Sequence, residues 1–600
     1  MLLTCWVLAL IAVVAVSAAV FGFAALARGL FPEARSPEAL GLGIFTSVLL
    51  VTGIAGAYNV LFQSALVFGG LAFLALSPEY WRGRLKDLRR HLPRGRDWLW
   101  LGFPAVYFVT RFFSCGLPQQ HSDPLYYHLS APQLWAELGR ITITPEHPSF
   151  AQAALWETLY GIPQLWFGTR GASAHVITQL YGQWMHMFWG QGGTLLLAAL
   201  LLARLAPPLE RLPGLTVFVA WLCTTQPVFE WLGCLAKNDY VLCVFVLGAV
   251  LEALDERWWL AGFFIGLAYS TKVLAAWAAL ALVVFIPPRR WPRYVAGAAL
   301  SAAPFLLRNL IATRNPLFPN LDDVLGPHWV SSWWMNHNAT FGGGPRFDPR
   351  MFRWLSEQMF MKALPKLLLG AGAAAFAVEA WRRHSGKSRE TKLAGLHRRR
   401  WLVFLGIQFV LAFTMLRPLA DGRYGNYVAI LMTVFASACV LREAARDRRV
   451  WRYGAPVLLA LGALVNSPVD VLWKIPRDYW FEPAVHYVEQ FHPCYDVQRW
   501  IQINVPPKDQ VLFFAEKEQF YLDRDWETVS EMKKWDELLT PIKTADELFE
   551  VLRGRGYRYA HFSPQAGGYP GVIRPYWNTL VAREREAVYR SPTSLVFKIY

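Results

Sequence analysis

The sequence predicts an all-α polytopic membrane protein carrying a small C-terminal α/β domain outside the bilayer, and three observations predict it. Hydrophobic residues make up 54% of the 600-residue chain and charged residues 17%, with a mean hydropathy of +0.26. A water-soluble interior could not enclose that much apolar surface. The apolar residues also fall into runs long enough to span a hydrocarbon core of about 30 Å. Finally, the net charge of +16 is concentrated. Segments 78–96, 287–293, 381–400 and 442–452 carry 23 Lys and Arg against 5 Asp and Glu. That is the pattern of cytoplasmic loops under the positive-inside rule. Because four loops hold the whole surplus, the basic balance points to a membrane surface and not to nucleic acid.

Taken in order, the apolar runs are 2–27, 40–58, 60–77, 97–114, 180–204, 214–232, 240–254, 259–271, 273–286, 294–312, 364–380, 401–416, 424–441 and 453–471, about fourteen spans. The first has no basic residue ahead of it and exceeds a signal h-region, so it reads as a retained span. The second and third could together form one kinked segment, and 259–271 is short for a crossing. Parity agrees with the charge: with Met1 outside, every basic loop falls on the cytoplasmic side. Three large pieces then lie outside, 115–179, 313–363 and the tail from 472 to 600. The first holds 2 basic and 4 acidic residues and the tail 17 and 18. Residues 1–96, the core 97–471 and the tail 472–600 are the expected divisions, and function is expected on the outer side.

The tail has strand-like segments at 511–515, 557–562 and 594–600. One helix there is well punctuated. Thr544 followed by Glu547 makes a capping box, Leu548, Val551 and Leu552 form its apolar face, and Gly554 and Gly556 supply the stop. The triplet of glycines at 342–344 lacks the strand and helix of a phosphate-binding loop and reads as a turn. Seven cysteines without regular spacing suggest neither a disulfide framework nor a zinc motif.

The first outer loop contains Ser122-Asp123-Pro124-Leu125-Tyr126-Tyr127-His128-Leu129, then two amphipathic stretches, the second with Glu157. Asp123 is placed either to face a pocket between helices or to cap the helix that Pro124 opens. Lys272 is the sole charged residue between Arg257 and Arg289; an ionisable group at that depth is functional or a snorkelling anchor. Arg308 and Arg423 stand near outer ends of spans, where an arginine either grips phosphate oxygens or anchors the helix. Asp239 could position a substrate or mark the water interface. His121, His128 and His147, with Glu146, lack the i, i+4 spacing of a hydrolytic zinc site. Most tryptophans read as belt anchors, although Trp329, Trp333 and Trp334 could stack on a sugar.

The ordered series Ser122-Asp123-Pro-Leu-Tyr-Tyr-His128…Gly139-Arg-Ile, Ala236-Lys237-Asn238-Asp239, Gly266-Leu-Ala-Tyr-Ser-Thr271-Lys272, Arg308-Asn309, Arg314-Asn315-Pro316 and Asp421-Gly-Arg423-Tyr424 resembles the GT-C type glycosyltransferases. The likeness is to the bacterial group of lipid-linked-sugar transferases related to the protein mannosyltransferases and lipid A aminoarabinose transferases. It covers roughly residues 97–600, and the order of the motifs carries it. The resemblance implies a GT-C membrane architecture in the bacterial inner membrane, with the N-terminus and tail periplasmic. It implies transfer of a sugar from a polyprenyl-phosphate donor to a lipid or cell-envelope glycan, with membrane lipids as further partners. By the same resemblance, Asp123 is the catalytic base. Lys272, Arg308 and Arg423 bind the donor phosphate, and His128, Glu157, Asp239 and Tyr424 position substrate. No cofactor is assigned. A divalent cation is compatible with the group, but relatives place two acidic residues side by side where this chain has Asp123-Pro124, so no metal ligands are named. A transporter or flippase of lipid-linked saccharide is the alternative. Transporters favour internal repeats and charges at the midplane, and neither is evident here.

Overall fold

The computed structural model describes residues 2–118, 123–152, 155–225, 233–331, 426–444, 495–514, 520–522, 526–529, 532–539, 541–563, 580–591 and 594–600, with a few single residues between 373 and 454. Helices occupy the described parts of the expected runs from the first through 294–312, and the run 424–441 from residue 426 on. With the helices that form in the loops 78–96 and 115–179, they are α1 (Leu2–Leu30), α2 (Pro37–Ile54), α3 (Val60–Ala75), α4 (Pro78–Arg90), α5 (Gly102–Ser114), α6 (Ser130–Leu138), α7 (Gly161–Phe167), α8 (Ala172–Met185), α9 (Gly193–Leu205), α10 (Pro213–Thr224), α11 (Asp239–Leu254), α12 (Trp258–Thr271), α13 (Ala275–Leu282), α14 (Trp291–Thr313) and α15 (Asn426–Ala444). The expected spans 364–380, 401–416 and 453–471 lie almost wholly outside the described residues, as do the glycines at 342–344.

The chain is an integral membrane protein by the length and apolarity of its helices, but the expected fourteen crossings are not established by them. Four described helices are long and apolar enough to cross alone: Leu2–Leu30, Pro37–Ile54, Ala172–Leu205 and Pro288–Thr313. The third joins α8 to α9 through a π-helical turn, His186–Gly192. It begins eight residues before the expected span because His175 and Gln179, both buried, break the apolar run that the sequence offers. The second and third runs are separate helices, with the Asn59 side chain accepting from Phe62 N to cap the latter. After α3 the chain turns by 69° into α4. Helix α4 buries no residue and is studded with Arg82, Arg84, Lys86, Arg89 and Arg90, as expected of a helix lying in a membrane interface.

Close backbone approach organises the core beside the site. Helix α12 carries Gly262 and Gly266 on one face against α14. A Cβ at Gly262 would stand 1.9 Å from Tyr294 O, and one at Gly266 2.1 Å from Ser301 Oγ. Small residues four apart let two spans meet at a distance side chains would forbid. Residues 1–96 pack into the same core. Trp6 Nε1 donates to Gly116 O at 2.7 Å, and Tyr58 OH to Thr158 O at 2.8 Å, so helices before residue 97 brace both ends of the first long loop.

The tail forms a five-stranded sheet in the order β2-β1-β3-β5-β4, from β1 (Val511–Phe514), β2 (Trp526–Thr528), β3 (Tyr559–Phe562), β4 (Tyr589–Ser591) and β5 (Ser594–Lys598). Strand β1 runs parallel to β2 and β3, while β5 is antiparallel to β3 and β4. The capping box holds: Thr544 Oγ1 accepts from Glu547 N at 3.2 Å, though Glu547 Oε2 reaches back one residue further, to Lys543 N. Helix Ala545–Gly554 lays Leu548 and Leu552 on the sheet with Phe562 and Phe597. The short edge strands β2 and β4 were not expected, since three residues give too little alternation to register. The tail docks on the loops beside α8. Trp526 packs on His147 at 4.2 Å, Gln179 Nε2 donates to Tyr521 OH at 2.6 Å, and Lys533 N donates to Trp329 O at 2.9 Å.

Candidate active site

Asp123 begins a single π-helical turn, Pro124–His128, with φ −57° and ψ −45°. Such turns recur at functional sites because they displace a side chain from the regular ladder. Its carboxylate makes no capping hydrogen bond, so the reading of Asp123 as a helix cap is set aside. Instead Oδ2 accepts from Lys237 Nζ at 2.8 Å, and the exposures of the two side chains differ: 1% for Lys237 and 24% for Asp123. The pair therefore presents a carboxylate to the outside and keeps the ammonium behind it.

Lys237 is fixed from several directions. Its backbone N–H donates to Leu235 O at 2.8 Å, and its carbonyl accepts from Tyr160 OH at 2.7 Å. Tyr160 in turn accepts from Trp156 Nε1 at 2.6 Å. The segment before α11 is thus pinned to the first long loop.

Glu157 is the centre of that junction and is wholly buried. His128 Nδ1–H donates to its Oε1 at 2.7 Å, and Asn238 Nδ2 donates to the same oxygen at 2.9 Å. Asn238 Nδ2 also reaches Thr271 O at 3.0 Å, which ties the loop to the end of α12. Burial above all, with Lys237 and Lys272 adding to it, holds the His128 imidazole below its ordinary range against the opposing pull of Glu157. At neutral pH His128 is uncharged, so its Nδ1 proton goes to Glu157 and its Nε2 is left as an acceptor.

Lys272 stands where α12 breaks. Its backbone is extended, φ −158° and ψ 123°, between α12 and the short turn into α13. Its ammonium donates to Asp239 Oδ1 at 2.6 Å. Asp239 opens α11, where a carboxylate also meets the positive end of the helix dipole. The structure thus brings Asp123, His128, Glu157, Asp239 and Lys272 into one constellation, with two residues that the sequence offers only as landmarks, Lys237 and Asn238. A lysine beside an aspartate at a helix start reads as interface charge; its partner lies 114 residues away.

Arg308 is fully buried in α14. It donates to Ala151 O at 2.7 Å and, through two nitrogens, to Asn309 Oδ1 at 2.8 and 3.1 Å. Glu157 is within its electrostatic reach. In this arrangement Arg308 supports the loop wall that carries Glu157, and its fork is turned to protein oxygens. The motif around Asn309 and Asn315 builds the turn after α14, with Asn309 Nδ2 donating to Phe318 O at 3.0 Å and Asn315 Nδ2 to Asn320 O at 2.7 Å. Arg423 and Tyr424, like His121, Trp333 and Trp334, lie outside the described residues. Trp329 packs edge-on against Phe318. His147 stacks on Phe150 and Trp526, and burial holds its imidazole down to about 3.

Two ion pairs therefore stand at the site, Asp123 with Lys237 and Asp239 with Lys272, and the charge of Glu157 is felt at Arg308. Asp123 and Lys272 are the members that keep some exposure. The two ammonium groups, each held by a carboxylate, are already oriented and poorly hydrated, the condition in which preorganised charge acts most strongly. Among the described residues no group of three or more His, Cys, Asp or Glu side chains is placed to hold a metal ion.

No family model matches the chain and no curated protein matches its sequence. Among solved structures, it is similar to ArnT from Cupriavidus metallidurans bound to undecaprenyl phosphate, at 15% identity over 84% of this chain and 99% of that one, TM-score 0.48. The same protein in the apo state matches at 14% identity over 83% and 97%, TM-score 0.38. An Archaeoglobus fulgidus oligosaccharyltransferase tethered with an acceptor peptide matches at 13% identity over 78% and 69%, TM-score 0.42. All three scores lie below 0.5, and the chemistry proposed for this chain rests on its own side chains.

Proposed function

We propose that this chain is a membrane glycosyltransferase of GT-C architecture that moves a sugar from a polyprenyl-phosphate donor to a lipid or cell-envelope glycan. Transfer takes place on the outer face of a bacterial inner membrane. The observation that carries the reading is the Asp123–Lys237 pair, a carboxylate 24% exposed and held at 2.8 Å by a lysine 1% exposed, with the Lys272–Asp239 pair on the adjoining helix ends. The Asp123 carboxylate accepts the proton of the acceptor hydroxyl as the hydroxyl oxygen bonds to the anomeric carbon. The bond from that carbon to the phosphate oxygen breaks, and its electron pair leaves on the polyprenyl phosphate. Phosphate is a good leaving group, so a cation suffices and a general acid is unnecessary. Lys272 is the donor-phosphate cation, and Lys237 orients the base. Glu157, His128 and Asn238 fix the loop on which both aspects depend, Asp239 sets Lys272, and Arg308 braces the wall behind Glu157. Arg423 and Tyr424 are proposed to complete the donor and acceptor sides.

The flippase reading has one observation in its favour. A cavity of 1910 Å³ lies at the far end of the bundle, lined by apolar residues of α1 and α9 and by Arg28, Arg84, Arg204 and Arg257. Its Asp255 follows α11, whose 16 residues place it about 24 Å from Asp239 at 1.5 Å per residue. The cavity and the carboxylate site are thus at opposite ends of a packed helix. The test is purified protein in liposomes given radiolabelled donors and an envelope-lipid fraction. Label appearing on the acceptor supports the transferase. Labelled donor crossing the bilayer unchanged, with no transfer across a donor panel, overturns it in favour of the flippase.

A further inference from the structure

The unspaced cysteines of the sequence conceal one close pair. Cys115 ends α5, its N–H donating to Arg111 O at 2.8 Å, and its thiol points at the backbone of the segment before α11, 3.7 Å from Gly233 O. Cys234 is the next residue. Its sulfur accepts from Arg111 Nη1 at 3.5 Å, so one arginine touches both cysteines, by its backbone on one side and its side chain on the other. Cys115 is buried and Cys234 partly exposed. Burial, then the hydrogen bond and charge of the Cys234 thiol, push the Cys115 thiol well above the ordinary thiol range.

We infer that Cys115 and Cys234 are a redox modification site, closing to a disulfide that locks together the two segments carrying the Asp123–Lys237 pair. Cys115 is eight residues before Asp123, and Cys234 three residues before Lys237. The guanidinium beside Cys234 and its partial exposure make it the attacking sulfur, since thiolates next to a cation are the reactive ones. The oxidant is a disulfide of low molecular weight or a dithiol oxidase. Cys234 thiolate attacks one donor sulfur and releases the other as a thiolate. The Cys115 thiol gives its proton to the released donor sulfur as it attacks Cys234 sulfur, and the second donor sulfur leaves. Two protein thiols are oxidised, one donor disulfide is reduced, and both protons end on the donor thiols. Formation in the cell rests on the outer-face orientation of the proposed function, where oxidising conditions prevail.

The test uses the full chain in native membranes, quenched with N-ethylmaleimide before lysis and mapped as non-reduced peptides. The expected result is a linked Cys115–Cys234 peptide, absent from Cys115→Ser, which instead carries the alkyl group on Cys234. Both cysteines alkylated in the native membranes, and still alkylated after the purified protein is incubated with excess oxidised glutathione, overturns the pairing. Free thiols in the cell that oxidised glutathione readily joins in the purified protein uphold the pairing and overturn the orientation. Where the disulfide forms, its reduction is expected to slow sugar transfer about tenfold; a rate unchanged by reduction overturns the clamp on the site.

Discussion

Replacing Lys237 and Asp123 singly and together separates the architecture of the site from its chemistry. A solvent-exposed ion pair contributes about 0.2–1 kcal/mol, whereas breaking a fully buried one costs about 3–5 kcal/mol. This pair is intermediate, with one side chain sealed and the other 24% exposed. Asp123→Asn, which strands the ammonium, is therefore expected to cost about 2 kcal/mol. Expressed in the unfolding rate, that shortens the half-life at a fixed temperature by about thirtyfold. Lys237→Met costs less, since Asp123 can turn to water. The double variant removes both charges and returns the half-life to within about threefold of wild type. Buried Cys223, Cys243 and Cys439 report unfolding through a thiol-reactive fluorophore in detergent. Transfer behaves differently: loss of a general base costs about 10²–10⁴ in rate, and the double variant stays as inactive as Asp123→Asn. Half-lives that simply multiply, with the double variant the least stable, would refute the pairing. Recovery of transfer in the double variant would refute Asp123 as the base.

Lys272→Gln retains a hydrogen bond to Asp239 but loses the cation, so the donor KM should rise about 10- to 100-fold, the worth of one charge-assisted hydrogen bond; steady-state kinetics with unchanged KM would remove Lys272 from the donor site. His147 and His561 have imidazoles held down from 6.5 to about 3 by burial. The unfolded chain takes up protons that the folded chain refuses, so stability complete above pH 6.5 is lost toward pH 3, at up to about 1.4 kcal/mol per pH unit for each group. His147→Phe, which keeps the stack on Trp526, should flatten the acid limb of a thermal-stability profile by one proton, and an unchanged slope would contradict this. Gly266→Val should abolish folded protein in membranes through collision with α14, while Gly69→Ala, whose added Cβ meets nothing within 4 Å, should accumulate normally; equal yields by gel filtration would show that α12 and α14 tolerate separation.

Much of this was legible in the sequence, for identifiable reasons. Apolar runs predict α1, α2, α3 and α14 because bilayer length leaves little choice, and the capping box and strands of the tail announce themselves by local chemistry. Lys272 is conspicuous because charge at membrane depth is expensive, and Asp123 and Asp239 because they stand at the edges of apolar runs. What stayed hidden depends on three dimensions. Lys237 and Asn238 acquire their roles only when the segment before α11 meets the loop holding Glu157. Arg308 has the composition of a phosphate ligand, yet Ala151 O and Asn309 occupy its fork. The π-turns at Pro124–His128 and His186–Gly192 have no periodic signature. Nor does spacing show that Cys115 adjoins Cys234, since the end of α5 and the segment before α11 meet only in the fold.

The most direct test of the central claim is single-turnover transfer from a radiolabelled polyprenyl-phosphate sugar to an envelope lipid, with enzyme in excess and wild type beside Asp123→Asn at matched folded concentration. The account predicts acceptor labelling by wild type and a rate about 10²–10⁴ lower in the variant, with donor binding retained. Equal single-turnover rates for the two proteins would contradict it.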